Sequence, residues 1–155
     1  MTKAVLISIR PEWVEKILSG QKTLEVRKTR PKLETPFKVY IYCTAGNLSY
    51  EVGNGMICNI SGGKLVVGEF VCDRIEPIVP APEPYGFYDV EDSFVAQTGL
   101  IDGVLWDYGN GATLYGWRIS NLKIYDFPKK LSEFTSNEVK RPPQSWCYVE
   151  EYENG

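Results

Sequence analysis

The chain has 155 residues, no histidine and a formal net charge of −3. That length suits one domain, residues 1–155, with enough chain to bury a real core. The missing histidine excludes Ser-His-Asp and Cys-His catalysis and any zinc site built on imidazole, and the acidic balance argues against indiscriminate attachment to nucleic acid.

In chain order, Lys3–Ile9 is apolar enough for a buried first strand. A helix is expected from Pro11 to Ser19, because Pro11 suits a first helical position and Gly20 the left-handed residue just past the end. Trp13, Val14, Ile17 and Leu18 share one face of it at helical spacing. After Gly20 the period changes to two: Leu24 and Val26 point one way, and Thr23, Glu25, Arg27 and Thr29 the other. Lys22 has the wrong parity for that second set. It sits at the turn, however, where a twist can aim its ammonium at Glu25 and Arg27.

Phe37–Cys43 reads as a strand with Tyr40 and Tyr42 on one face, and residues 44–63, rich in Gly, Asn and Ser, as a hairpin-like excursion. Lys64–Ile75 is the strongest strand signal, with Gly68 marking a bulge or a close backbone approach. Glu69 inside that run either faces solvent or enters a cleft as a buried carboxylate. The prolines of Pro77–Pro84 make an extended connector. Asp89 is expected to cap a helix over Val90–Thr98, and Asp102 a second one to about Tyr108. Strands return at Ala112–Ser120 and Leu122–Phe127, followed by loop with one helical turn near Leu131–Phe134, and Trp146–Glu150 closes the chain.

No apolar run approaches the length of a membrane span, and MTKAVLISIR lacks the layout of a signal peptide. A cytoplasmic protein without membrane contact is expected. Cys43, Cys58, Cys72 and Cys147 form no C-x-x-C, so buried free thiols are expected, with no metal and no cofactor. The charge is uneven. From Arg10 to Lys32 there are seven basic residues against three acidic ones, and from Glu69 to Asp107 nine acidic against one basic. A basic patch on an acidic body suits a selective grip on a small or single-stranded anion.

The run LISIRPEWVEKILSGQKTLEVRKTRP, followed by KVYIYCT, resembles the start of an ASCH domain of the PUA-like superfamily, whose G-x-K-x-x-E-x-R segment matches Gly20, Lys22, Glu25 and Arg27. LVVGEFVCDRI, GWRISNLKIYD and RPPQSWCYVEE are similar to small ASCH proteins of bacteria and their phages. The resemblance implies an α+β fold, a small mixed β-barrel flanked by short helices, and a module that binds RNA or a nucleotide-like ligand in a basic cleft at the barrel mouth. Within that family, one branch is an amidohydrolase of acylated cytidine that uses a lysine and, three residues later, a threonine. Lys22 matches the lysine, but Glu25 stands in the threonine's place. Another branch is a metal-dependent ribonuclease, and the resemblance assigns no residue of this chain to its site.

On the residues themselves, Lys22 and Arg27 are candidate contacts to phosphate or base oxygen, with Arg10 flanking the cleft. Glu25 is a candidate acceptor from an amino group, and Tyr42 or Trp146, beside Ser145, a candidate stacking platform. If the protein is an enzyme, a hydrolase of RNA or of a modified nucleoside, Lys22 and Glu25 are its candidate catalytic pair. Glu25 and Glu69 together are candidate ligands for a divalent cation. Against these stands a plain salt bridge at a strand edge. The acidic stretch also admits a protein-interaction module.

Overall fold

The computed structural model describes residues 2–52, 55–100, 102–134 and 139–152. Six strands form one sheet in the order β2-β7-β6-β3-β1-β8, comprising β1 (Lys3–Ile9), β2 (Leu24–Arg27), β3 (Phe37–Cys43), β6 (Leu65–Ile78), β7 (Leu114–Lys130) and β8 (Trp146–Glu150). β1 and β3 are parallel and every other neighbouring pair is antiparallel. Parallel neighbours need a crossover, and helix α1 (Pro11–Leu18) with β2 supplies it. The excursion at 44–63 is a separate hairpin of β4 (Leu48–Val52) and β5 (Met56–Ile60), packed on α1. Helices α2 (Asp92–Thr98) and α3 (Asp102–Gly109) lie between β6 and β7, and α4 (Leu131–Phe134) follows β7.

Parity along the strands sorts the core. Val39 and Ile41 join Val5, Ile7, Phe70 and Trp117 on the inner face, where α1 adds Val14 and Ile17. Tyr40 and Tyr42 join Leu6, Val66 and Val149 on the outer face. β1 is buried from Ala4 to Ile9, and apolar there except at Ser8, because it lies between β3 and β8 and is covered on both faces. A third cluster sets Val26, Ile78 and Leu114 against Val95 of α2 and Leu105 of α3. α1 ends as its sequence signals, with Gly20 at φ 85°. Gly68 is a close approach, since a Cβ there would sit 2.5 Å from the Lys123 carbonyl oxygen.

The barrel expectation needs correction. The sheet is open, with β2 and β8 as its edges, and no backbone ladder joins them. Side chains bridge the two edges instead. Arg27 donates from Nη2 to the Ser8 carbonyl (2.9 Å) and from Nη1 to Ser145 Oγ (3.1 Å), and Trp146 Nε1 donates to Thr29 Oγ1 (2.9 Å). β2 is only four residues long, and its single ladder runs to β7. Two smaller expectations also change. Ala112–Ser120 and Leu122–Phe127 form one strand, β7, that passes through Asn121 at φ 48°. α2 starts at Asp92 with Glu91 as its N-cap and no side-chain capping bond, so Asp89 caps nothing.

Candidate functional site

The site is built on the turn after α1 and on β2. Lys22 precedes the first strand residue, so strand parity does not govern it. Its amide donates to the Lys16 carbonyl (3.0 Å), which folds the turn back over α1, while Thr23 donates to the Gln97 carbonyl (2.9 Å) and ties the turn to α2. The ammonium is thereby aimed inward. Lys22, Glu25 and Arg27 converge, as the turn placement allowed: Lys22 Nζ lies 4.0 Å from Glu25 Oε2, and Arg27 Nε lies 3.4 Å from Glu25 Oε1.

The row is deeply set. Lys22 is 3% exposed and Glu25 7%, and Arg27 is its half-buried member. Lys22 donates to the Thr98 carbonyl at the end of α2, a helix terminus where a cation is favoured. Its Nζ also lies 5.6 Å from the Trp13 ring centroid, with Lys16 Nζ 4.8 Å from the same ring. Burial lowers the Lys22 pKa; Glu25 raises it in part, and Arg27 and Lys16 push it further down. Glu25 pairs across the ladder with Trp117, so it faces the inner side. Its Oε2 is buried without a hydrogen-bond partner, and a buried carboxylate oxygen left so is costly.

The residues at the seam are more open. Trp146 is half-buried, its ring engaged edge-on by Trp117 (5.8 Å) and Tyr148 (5.3 Å). Ser145 is half-buried and holds Arg27. Tyr108 of α3 is 39% exposed, with Lys28 Nζ 4.9 Å from its ring centroid. Burial raises its pKa, while the charge of Arg27 lowers it and that of Glu25 raises it.

Two expected site residues lie elsewhere. Tyr42 is 5% exposed in the outer-face cluster, on the far side of the sheet, and cannot stack on anything held by the row. Arg10 lies at the start of α1 and lines a depression of about 420 Å³ with Pro11, Glu12, Glu15 and Asn47, away from Lys22, Glu25 and Arg27. A second depression, of about 790 Å³, lies between α1 and the β4–β5 hairpin and also excludes the row. Both are open surface, and neither is lined by Lys22, Glu25 or Arg27. Glu69 pairs in the ladder with Tyr40 and so faces outward. It cannot share a cation with Glu25, and among the described residues no three His, Cys, Asp or Glu side chains converge as metal ligands. The sequence reading missed Thr98, Trp13, Ser8, Thr29 and Tyr108. Trp13, Tyr108 and Thr29, which shares a strand face with Glu25 and Arg27, left a side-chain signal to follow; Thr98 and Ser8 act through backbone carbonyls.

Against known structures, the chain superposes on the crystal structure of ASCH from Zymomonas mobilis with a TM-score of 0.66 and 20% identity, covering 96% of this chain and 88% of that one. This is an ASCH fold. A serine-to-alanine variant of the Zymomonas protein gives 0.68 at 19% identity over 96% and 89% of the two chains, and a tyrosine-to-phenylalanine variant 0.67 at 20% over 97% and 92%. No family model matches the sequence, and no curated protein matches it significantly. At these identities the ASCH likeness carries the fold, and each residue's role rests on the geometry above. No helix among the described residues is long and apolar enough to cross a membrane.

Proposed function

We propose that this ASCH-fold protein binds RNA or a nucleotide-like ligand at the seam between β2 and β8. The observation that carries the reading is the buried row itself. Two cations flank one carboxylate whose Oε2 lacks a hydrogen bond, near the half-buried Trp146 and the exposed Tyr108. Arg27 and Lys28 face the anionic backbone, Glu25 accepts from a base N–H, and the aromatics offer a stacking face. The test is a tryptophan-fluorescence titration with a short single-stranded RNA at low and moderate salt. Two or three phosphate contacts predict that log K falls with log salt at a slope of roughly −0.7 per phosphate. Absence of binding at low salt contradicts the reading.

One observation favours a second reading, hydrolysis of RNA or of a modified nucleoside by Lys22 and Glu25. Burial lowers the Lys22 pKa, which moves it towards the range of a general base. Turnover that is lost in Glu25→Gln while binding persists would favour the enzyme; binding without turnover in the unaltered protein favours the binding module.

A further inference from the structure

We propose that the Lys22–Glu25–Arg27 row selects a ligand edge carrying one N–H between two carbonyl oxygens, the imide edge of a uracil-type base. The proposal deepens the nucleic-acid reading above and rests on it.

It follows from which hydrogen-bonding groups are left over. A lysine ammonium has three N–H groups, an arginine five, and neither can accept. Lys22 gives one to the Thr98 carbonyl and turns a second towards Glu25 at 4.0 Å, beyond hydrogen-bond reach. Arg27 turns Nε towards Glu25 and gives one N–H each to Ser145 and Ser8. One Lys22 N–H and two on Arg27 remain. Glu25 is the only acceptor in the row, it is more than nine-tenths buried, and its Oε2 has no hydrogen-bond partner. The two cations approach different carboxylate oxygens from different elements, Lys22 from the α2 side and Arg27 from the β1 and β8 side, so they flank Glu25.

The pattern is therefore donor, acceptor, donor, and its complement is acceptor, donor, acceptor. Uracil presents that edge with O2, N3–H and O4. Cytosine would set its N3 lone pair against the carboxylate. Guanine would set its amino group, and adenine its own, against a cation. Each mismatch buries an unpaired or repelling polar group, which is how a polar site rejects near-isosteres. Entry is through the seam. Only side chains bridge β2 and β8 there, so admitting a ring displaces side chains and breaks no ladder. Tyr108, whose ring lies 4.9 Å from the Lys28 ammonium just past β2, and Tyr148 of β8 are exposed aromatics on the two sides of that entrance, while the Trp146 ring is already engaged by Trp117 and Tyr148.

The experiment compares three labelled single-stranded RNA decamers at low salt: all-uridine, all-cytidine, and all-N3-methyluridine, which lacks the N3–H. The expected result is all-uridine bound at least about tenfold more tightly than all-cytidine, with N3-methylation abolishing the advantage. Equal affinity for uridine and cytidine, or an advantage that survives N3-methylation, overturns the selectivity and leaves the nucleic-acid reading standing. Absence of binding by all three overturns both. In Glu25→Gln, checked for folding by its urea midpoint, the uridine advantage should shrink to under about threefold, because the amide accepts with one atom only; an undiminished advantage in the folded variant removes Glu25 from the recognition.

Discussion

The two faces of the sheet each hold a lysine–glutamate pair, and the pairs differ in how completely they are satisfied. On the outer face, Lys38 Nζ lies 3.0 Å from Glu69 Oε2 and 3.2 Å from Glu151 Oε1, and the Tyr125 hydroxyl donates to Glu69 Oε1 at 2.8 Å. On the inner face, Lys22 stands 4.0 Å from Glu25 Oε2, which has no hydrogen-bond partner. The lysine pKa values move oppositely. Burial pulls Lys38 down, but its hydrogen bonds to Glu69 and Glu151 outweigh it and leave the pKa raised. Burial dominates at Lys22, and the pKa is lowered. A closed polar network rigidifies a fold, whereas one left open on a buried carboxylate is poised for something else to complete it. The outer network is closed by the protein's own groups, whereas the inner row, the proposed site, leaves Glu25 Oε2 without a hydrogen bond.

The largest way to break this contrast is Arg27→Ala. It removes both Nη bonds across the seam and leaves Glu25 beside Lys22 alone. A loss of about 3–5 kcal/mol is expected in urea unfolding, because breaking a buried pair leaves an uncompensated charge. Arg27→Lys keeps the charge without the fork and should recover only part of that loss. Next is Tyr125→Phe on the outer face, which takes one donor from Glu69 and leaves Lys38 in place. It should cost ~1–2 kcal/mol of stability and leave ligand affinity within about twofold, which a titration beside the unfolding curve will show.

The smallest effect is in pH dependence, and it separates the two lysines by sign. Lys22 has its folded pKa below the unfolded value of 10.5. Between the two, the unfolded chain holds more protons, so this group's contribution to stability rises with pH there. Lys38 has its folded pKa above 10.5, so its contribution is lost as pH rises through the folded value. Cys43 and Cys72, pushed by burial from 9.0 up to about 11, add a decline over that interval. Urea midpoints from pH 8 to 11 should therefore fall more steeply in Lys22→Met than in the unaltered protein, and less steeply in Lys38→Met. The reverse order would mean that the two burial environments have been assigned the wrong way round.

Much of this fold was legible in local patterns. Pro11 and Gly20 bracketed α1, alternation located β3 and its two faces, and Gly68 marked a close approach. The convergence of Lys22 with Glu25 and Arg27 was legible only as an allowance, because it depends on the Lys22 amide reaching Lys16 and the turn reaching Gln97. Three features were hidden because they are long-range. Whether the sheet closed depended on how β2 and β8 meet, across 118 residues between Arg27 and Ser145. Alternation showed that Tyr40 and Tyr42 share a face, but not that Val66 and Val149 cover it. For Glu69, the short-range pattern could not supply Lys38 and Tyr125, the partners that close its network.

The most direct test of the claim that the incomplete pair is the site is a side-by-side titration of single-stranded RNA with the unaltered protein, Lys22→Met and Lys38→Met at one low salt concentration. We expect Lys22→Met to weaken binding by about tenfold or more, the effect of losing one charged hydrogen bond at ~1.5–3 kcal/mol, and Lys38→Met to stay within about twofold. Equal losses in the two variants, or a larger one in Lys38→Met, would contradict the assignment and move the site to the outer face.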